Sequence, residues 1–329
     1  MYYEKLPFGE GKYFYGEYEQ DKLYDVYIQN FSCTFEIKEG YIPTLQIKRS
    51  VFKETEYLTS SEDQEVTLSM TSVDLKLFLD HYNVYNLEYL DGWKFKSTTG
   101  LFTGYIDKWS KVKIESKKNE NKAMYTLAKL MLNALYGKFA LNPKVRSKIP
   151  FMDEEQDRVR YRFGEQEYRD PIYLPVGTFI TSYARNKTIR SAQLVYDRFV
   201  YADTDSLHLV GTEIPKELDI DETKLGAWDH ELTFIRARYI CQKRYLETYE
   251  TTKKQLKEMI EEKNIHSRAY FLDGKIVQDK ITCSGMPKSC YDQVTWDNFK
   301  VGTHYDNKLT MKHVKGGIVL KDNGFTMKD

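Results

Sequence analysis

The stretch Val200-Tyr-Ala-Asp-Thr-Asp-Ser-Leu-His-Leu209 places two carboxylates two residues apart between apolar, strand-forming arms. We predict a hairpin from Phe199 to Leu209. Alternate side chains of an extended backbone share one face, so Asp203 and Asp205 are expected to point the same way. A hard divalent cation would remove their repulsion, because such ions prefer carboxylate oxygens. The alternative is a turn whose side chains bond nearby backbone amides, and the Asp-x-Asp spacing alone favours that turn.

The strongest helical pattern lies upstream of this hairpin. It runs from about Ala123 to Leu141 and ends before Pro143, which cannot continue a helix. Its apolar residues recur at helical spacing and predict a helix that packs into the core: Met124, Leu127, Met131, Leu135 and Phe139.

The same helix carries a polar stripe. Lys129, Asn133 and Tyr136 stand at i, i+4 and i+7 and therefore share one side. A lysine can meet phosphates, an asparagine can hydrogen-bond, and a tyrosine ring can stack on a sugar or base. Gly137 would let a ligand approach the backbone closely. An ordinary amphipathic helix with a solvated face remains the alternative.

Composition describes a folded chain with a highly charged surface. The 329 residues are 41% hydrophobic and 15% aromatic, with 49 basic and 49 acidic residues. Between Lys111 and Lys148, however, ten basic and two acidic residues leave a local excess of eight positive charges. That excess could attract a phosphate-bearing ligand, although charge alone favours a solvated helix. No segment is apolar enough to span a membrane. The four cysteines are scattered along the sequence, which is typical of a protein in a reducing cytoplasm and argues against a zinc site.

Other segments give a coarse secondary structure. Alternating residues at 33–38 and 43–48 predict antiparallel strands, and a further strand is expected at 86–96. A short helix is expected from Ser72, its predicted cap, with Val73, Leu75, Leu77 and Phe78 on its apolar face. Four later segments complete the prediction: a charged, loop-rich insert at 144–172, a strand leading into a helix at 172–192, an exposed helix from Glu247 to Lys263, and a β-rich tail from Cys283 to Asp329.

Two longer motifs favour a functional site over an ordinary turn at the aspartates and an ordinary amphipathic helix. Tyr201-Ala-Asp-Thr-Asp-Ser206 resembles the third signature motif of family B DNA polymerases at every specified position. Leu127 to Phe139 resembles the family's second motif and precedes the third, in the family's order. Ala134 stands where the family usually has serine, a small change that we expect to matter little.

Two shorter strings fit the same family. Thr181-Ser-Tyr-Ala-Arg185 resembles its template-strand motif, in which a hydroxyl and a guanidinium contact the template backbone. Lys243-Arg-Tyr245 resembles the Lys-x-Tyr motif that holds the primer terminus. Either string alone is more often part of an ordinary surface than of a functional site. Their order along the chain and their occurrence together with the two longer motifs support the assignment.

The resemblance implies an α+β right-hand polymerase with a partial palm, fingers and thumb and with two β-rich or loop insertions. The insertions are similar to those of the protein-primed phage branch, where the first helps to bind the terminal protein and the second gives processivity and strand displacement. The implied boundaries are 1–101 for the first insertion, 102–140 for the fingers, 141–172 for the second insertion, 173–282 for the palm and 283–329 for the thumb.

The resemblance also implies the chemistry, which is nucleotidyl transfer from a deoxynucleoside triphosphate to a primer hydroxyl, or to a terminal-protein hydroxyl at initiation. Asp203 and Asp205 would be catalytic and would bind Mg²⁺, with two ions in the complete site. Lys129, Asn133, Tyr136 and Lys113 would bind the nucleotide. DNA would be bound by Gly137, Thr181, Arg185, Tyr201, Thr204, Ser206, Lys243 and Tyr245. We expect a monomer that works on primer-template DNA in the host cytoplasm, away from membranes.

One departure from the family pattern is serious. The family's other catalytic aspartate lies in an Asp-x-x-Ser-Leu-Tyr-Pro motif that this sequence lacks, and the upstream exonuclease domain is absent too. We therefore expect a truncated product or one half of a split enzyme, inactive alone, because phosphoryl transfer depends on aligned metal ions. Two alternatives remain: a non-catalytic DNA- or terminal-protein-binding remnant, and a phosphatase or nuclease that uses Asp203 and Asp205.

Overall fold

The computed structural model describes residues 2–46, 57–153, 158–169, 172–221, 224–252, 269–307, 310–314, 317–321 and 324–328. The chain divides into two compact units. The first contains Met1–Val145 and Gln166–Gly211, and the second contains Arg146–Glu165 and Thr212–Asp329.

The first unit contains a four-stranded antiparallel sheet in the order β1-β4-β2-β3. Its strands are β1 Leu6–Tyr15, β2 Val26–Ile37, β3 Val66–Thr71 and β4 Tyr82–Thr98. The predicted strands at 33–38 and 86–96 are therefore confirmed within β2 and β4. The segment 43–48 contributes one isolated bridge at Leu45, and its last two residues lie outside the described part.

Alternation explains why β2 belongs to the core. Phe31, Cys33 and Phe35 are buried on one face of the strand, where they pack with Phe78 and Tyr82. Burial also raises the pKa of the Cys33 thiol to about 11, so this side chain behaves as a small apolar group. The four cysteines are free.

Helix α1, Ser72–His81, confirms the predicted short helix, but its cap is Thr71 rather than Ser72. The Thr71 side chain accepts a hydrogen bond from the Asp74 amide, as an N-cap residue does. On the predicted apolar face Leu75, Leu77 and Phe78 are buried and Val73 is half-buried.

The segment 102–140, which was expected to form the fingers, contains α2, Thr103–Lys118, and α3, Lys122–Phe139. The helix predicted from about Ala123 to Leu141 is confirmed as α3, but the expectation that it packs into the core along its apolar face is wrong. None of its five predicted core side chains is buried, and Met124 and Leu127 are 38% and 42% exposed. The reason is that α3 packs along α2 and meets α4, described next, near its own carboxyl end.

Helix α4, Leu174–Leu194, is the long helix of the first unit. A strand was predicted before this helix, but the helix begins within the first residues of that segment, with Pro175 in its first turn. Val176, Phe179 and Ile180 follow helical spacing and join a buried cluster with residues of β1, β2 and β4. The predicted hairpin is confirmed as β7, Phe199–Asp203, and β8, Ser206–Leu209.

The insert at 144–172 is not loop-rich, because β5, Lys144–Asp153, and β6, Arg158–Tyr168, form a two-stranded sheet. Val159, Tyr161 and Phe163 alternate with polar residues, which is the strand period that its many charges obscured.

The second unit contains a four-stranded antiparallel sheet in the order β11-β12-β10-β9. Its strands are β9 Phe234–Cys241, β10 Arg244–Glu250, β11 Ala269–Leu272 and β12 Lys275–Cys283. The exposed helix predicted from Glu247 is therefore wrong for 247–250, since these residues lie in β10. The rest of that prediction, from 253 onward, lies outside the described residues.

The tail is β-rich, as predicted. After a 3₁₀ helix at Lys288–Gln293 come two small two-stranded sheets, β13 with β16 and β14 with β15. Their bounds are β13 His304–Tyr305, β14 Thr310–Val314, β15 Gly317–Lys321 and β16 Phe325–Thr326. No helix in the described part of the chain is long and apolar enough to cross a membrane.

Candidate functional site

The two aspartates lie at the tip of the β7–β8 hairpin. Asp203 ends β7 and pairs with Ser206, so Thr204 and Asp205 form a two-residue turn. Thr204 has a φ of 51°. The extended-strand argument is therefore wrong for Asp205, because the turn and not strand alternation sets the direction of its side chain.

Thr204 occupies an unusual conformation for its residue type. Central residues of tight hairpin turns with positive φ are normally Gly, Asn or Asp. A β-branched residue there is an outlier that costs about 1–3 kcal/mol and persists only where the surroundings enforce it.

Two hydroxyls of the turn bond to Asp203. Thr204 Oγ1 donates to Asp203 Oδ1 at 3.0 Å, and Ser206 Oγ donates to the Asp203 carbonyl oxygen at 3.1 Å. Both residues were predicted to bind DNA, and in this structure the Thr204 hydroxyl bonds the Asp203 carboxylate whereas the Ser206 hydroxyl bonds the Asp203 backbone. Asp203 is half-buried and Asp205 is exposed.

The base of the hairpin is held by two further contacts. Tyr201 was predicted to bind DNA, and its half-buried ring meets the His208 ring edge-on, with ring centroids 5.2 Å apart. Arg198 Nε donates to the Val210 carbonyl oxygen at 2.9 Å. These contacts fix the strands from which the carboxylates project.

The donor set can be compared with what a metal ion needs. Within the described residues no group of three or more His, Cys, Asp or Glu side chains could hold a metal. Asp203 and Asp205 nevertheless supply the hard oxygen donors that Mg²⁺ prefers, and Mg²⁺ is commonly held by one or two carboxylates together with substrate phosphates. The two carboxylates thus supply donors of the kind that Mg²⁺ takes, but they do not form a closed cage.

The polar stripe of α3 is accessible along its length. Lys129 and Asn133 are exposed, and Tyr136 is 41% exposed. A Cβ added at Gly137 would meet no atom within 4 Å, so the backbone there is open to a ligand. Lys113, on α2, is half-buried.

Helix α4 connects this stripe to the aspartates, because it packs against both α3 and β7 within the first unit. At one end, a Cβ at Gly177 would lie 2.9 Å from the Ala140 Cβ, so the helices approach closely where α3 ends. At the other end, Thr188 Oγ1 donates to the Thr204 carbonyl oxygen at 2.8 Å. One helix therefore contacts both the end of α3 and the aspartate turn.

The predicted template-strand residues lie on α4 as well. Thr181 Oγ1 donates to the Thr178 carbonyl oxygen at 2.7 Å. Arg185 donates two hydrogen bonds to Asp74, from Nε to Oδ1 at 3.0 Å and from Nη2 to Oδ2 at 2.7 Å, and Ser182 Oγ adds a third at 2.6 Å. The Arg185 side chain stays 45% exposed.

Sequence reasoning missed Asp74, although a signal existed. Thr71-Ser-Val-Asp74 has the spacing of a capping box, which places an acidic side chain in the first turn of α1. Nothing in the sequence indicated that this carboxylate meets Arg185, since 111 residues separate the two.

The predicted primer-terminus residues belong to the second unit. Lys243 is exposed at the tight turn between β9 and β10, with a φ of 60°. Tyr245 is buried at the start of β10, and its ring centroid lies 5.7 Å from that of Tyr239. The lysine is thus exposed to solvent, whereas the tyrosine ring is packed in the sheet.

Comparison with known proteins decides the family. The family described as "DNA polymerase type B, organellar and viral" matches residues 1–223. The chain belongs to this family. Among curated relatives, this type B polymerase chain is 46% identical to the DNA polymerase of Bacillus phage phi29, 44% to that of Bacillus phage B103 and 32% to that of Streptococcus phage Cp-1. All of the chain is covered in each case, but only 55%, 56% and 54% of the relative, so the chain spans about half their length.

Solved structures confirm the predicted fold class. The type B polymerase chain matches phi29 DNA polymerase in complex with primer-template DNA and incoming nucleotide substrates with a TM-score of 0.86 and 45% identity. It matches the same enzyme in complex with single-stranded DNA with a TM-score of 0.80. Each match covers the whole chain and 55% of the solved one.

Proposed function

We propose that this chain forms the nucleotide-binding part and the Asp203–Asp205 metal site of a DNA-directed DNA polymerase. The reaction is transfer of a nucleotide from a deoxynucleoside triphosphate to a primer 3′-hydroxyl, or to a terminal-protein hydroxyl at initiation. The observation that carries the proposal is that α4 packs against both the basic helix α3 and the aspartate hairpin.

Asp203 and Asp205 would hold Mg²⁺, with two ions in the complete site. When bound, the ions stabilise the attacking and leaving oxygens of an in-line displacement. The hydrogen bond from Thr204 to the Asp203 carboxylate orients one of its oxygens before any ligand arrives. Such pre-organisation contributes more to phosphoryl transfer than covalent participation by the protein does.

The polar stripe on α3 receives the nucleotide. Lys129 is exposed and attracts the triphosphate, assisted by Lys113 from α2. Asn133 and Tyr136 meet the sugar and the nascent base pair, which approaches the open backbone at Gly137. The local excess of basic residues on these helices favours the same polyanionic ligand.

Further residues contact DNA without reading its sequence. Arg185 and Thr181 bind the template backbone, and Asp74 orients the guanidinium through two hydrogen bonds. We assign contact with the primer end to Lys243, which is exposed, with Tyr245 supporting it from within the sheet. We assign terminal-protein contact to the insertion at 1–101, and processivity with strand displacement to the hairpin within 141–172.

One observation favours a second candidate function. The basic residues of α2 and α3 attract a polyanion whether or not a reaction follows. Such a surface could bind DNA or the terminal protein without performing chemistry. Both candidates predict DNA binding, but only the polymerase predicts that the aspartates matter for a reaction.

Primer extension with Mg²⁺ discriminates the two functions. It should be run on the chain alone and on a version extended upstream to carry the Asp-x-x-Ser-Leu-Tyr-Pro motif. We expect the extended version to incorporate nucleotides and to lose incorporation on Asp203→Asn. Extension products that are absent from both proteins, with primer-template DNA still bound, would reject the polymerase function in favour of the binding function.

A further inference from the structure

The turn between the two aspartates needs support from outside the hairpin. Thr204 is β-branched and has a φ of 51°, a region that such residues avoid. In the described part of the chain β7 and β8 form a sheet of two strands, and isolated two-stranded hairpins are marginally stable in water. The conformation of the tip must therefore be enforced by a neighbouring element.

Helix α4 supplies a contact at the tip itself. Thr188 is 8% exposed, and its hydroxyl lies 2.8 Å from the Thr204 carbonyl oxygen. The same hydroxyl lies 3.1 Å from the Ala184 carbonyl oxygen, the acceptor that a helical threonine ordinarily uses. A hydroxyl has one proton, and the shorter distance favours the bond to the turn.

This bond acts on the aspartates through the backbone. The Thr204 carbonyl belongs to the peptide unit that leads into Asp205, and a peptide unit is planar. A hydrogen bond that fixes the direction of that carbonyl therefore fixes the plane of the peptide between Thr204 and Asp205. Thr204 Oγ1 takes no part in this bond and still donates to the Asp203 carboxylate.

We propose that Thr188 is a positioning residue for the metal site: its hydroxyl holds the Thr204 peptide so that Asp203 and Asp205 bind a divalent cation together. The proposal rests on the proposed function, because it assigns a task to a residue near the same carboxylates. Thr188 itself touches neither the cation nor the nucleotide.

The test is Mn²⁺ binding by the whole chain, followed through the electron paramagnetic resonance signal of the free ion. Thr188→Val keeps the shape of the side chain and removes the hydroxyl, whereas Thr188→Ser keeps the hydroxyl. We expect Thr188→Val to weaken Mn²⁺ binding about fivefold, the effect of one neutral hydrogen bond, and Thr188→Ser to stay within about twofold of the parent.

A matched control lies on the same helix. Thr178 donates to the Leu174 carbonyl oxygen within α4 and makes no contact with the turn that the structure records. Thr178→Val therefore loses a threonine hydroxyl from α4 and should leave Mn²⁺ affinity unchanged. Equal weakening by Thr178→Val and Thr188→Val would overturn the proposal, because the effect would then belong to the helix in general.

A second background keeps the proposal falsifiable even if Thr188→Val folds poorly. Asparagine tolerates positive φ far better than threonine. Because Thr204→Asn also removes the hydroxyl that holds Asp203, the comparison is made within the Thr204→Asn background, where Thr188→Val should weaken Mn²⁺ binding less than it does in the parent chain. Equal weakening by Thr188→Val in both backgrounds would contradict the positioning role.

Failure of this inference differs from failure of the proposed function. If Asp203→Asn weakens Mn²⁺ binding but Thr188→Val does not, only the positioning role is rejected. If Asp203→Asn, Asp205→Asn and the parent chain bind Mn²⁺ equally, the metal site itself is rejected and the positioning role falls with it.

Discussion

Two glycine-to-alanine substitutions of opposite expected sign test the close contact between α3 and α4. In a helix interior, glycine is about 1 kcal/mol less favourable than alanine, so each substitution gains about that much. At Gly137 the new methyl group would meet no atom within 4 Å, and only this gain remains. We therefore expect Gly137→Ala to stabilise the first unit.

Gly177→Ala should behave differently because its methyl group would lie 2.9 Å from Ala140 Cβ and 3.0 Å from Ala140 N. One of those atoms is backbone, so a helix has to shift, and such overpacking costs about 1–3 kcal/mol. The propensity gain is common to both variants. Gly177→Ala should thus be about 2 kcal/mol less stable than Gly137→Ala, which corresponds to a melting temperature lower by about 4–8 °C in a unit of this size.

The assay is thermal unfolding of the whole chain, with hydrogen exchange of peptides from α4 to assign the transition to the first unit. That assignment is needed because two compact units need not unfold in one step. If Gly177→Ala is stabilised as much as Gly137→Ala, α3 and α4 do not meet at Ala140, and the argument that α4 connects nucleotide and metal residues loses its basis.

Three further outcomes follow from the site and its surroundings. In the upstream-extended enzyme, Lys129→Ala should raise the KM for deoxynucleoside triphosphate about tenfold, because a charge-assisted contact is lost. Lys111→Ala, on the exposed surface of α2, should leave that KM unchanged, and equal effects of the two substitutions would contradict the assignment. In an anisotropy titration, Asp74→Asn should lower primer-template affinity less than Arg185→Ala does, because the guanidinium is disoriented but still present. Affinity that is unchanged in both variants would show that the pair has no part in DNA binding. Burial lowers the pKa of His81 in the folded chain. Below the ordinary pKa of about 6.5 the unfolded state therefore binds more protons than the folded state, and stability should be lost as pH falls through that value. A denaturant midpoint that is flat from pH 7 to 5 would refute this.

The sequence predicted the local elements of the candidate site better than the packing around them. The hairpin around Asp203 and Asp205 and the stripe on α3 were predicted because hairpins and helices follow local periods that can be read along the chain. The conformation of the tip could not be read in this way. A positive φ at Thr204 contradicts the residue's own preference and depends on Thr188, which is 16 residues away in sequence.

The errors share a physical cause. The charged residues from Glu247 onward have helical spacing, but the first four residues of the predicted helix, 247–250, lie in β10, where pairing with β9 and β12 overrides local preference. Conversely, the apolar residues of α3 suggested a core helix, yet Met124 and Leu127 remain well exposed. Periodicity reports that one face differs from another, and it does not report which neighbour covers that face.

The central claim is that the aspartate turn and the basic helix act on one triphosphate. Photoaffinity labelling with an azido-substituted deoxynucleoside triphosphate in the presence of Mg²⁺, mapped by mass spectrometry, tests it directly on the chain. We predict labelled peptides from α3 around Tyr136, with labelling that falls sharply in Asp203→Asn and Asp205→Asn. Labelling of α3 that is indifferent to both substitutions, or labelling that avoids α3, would contradict the claim.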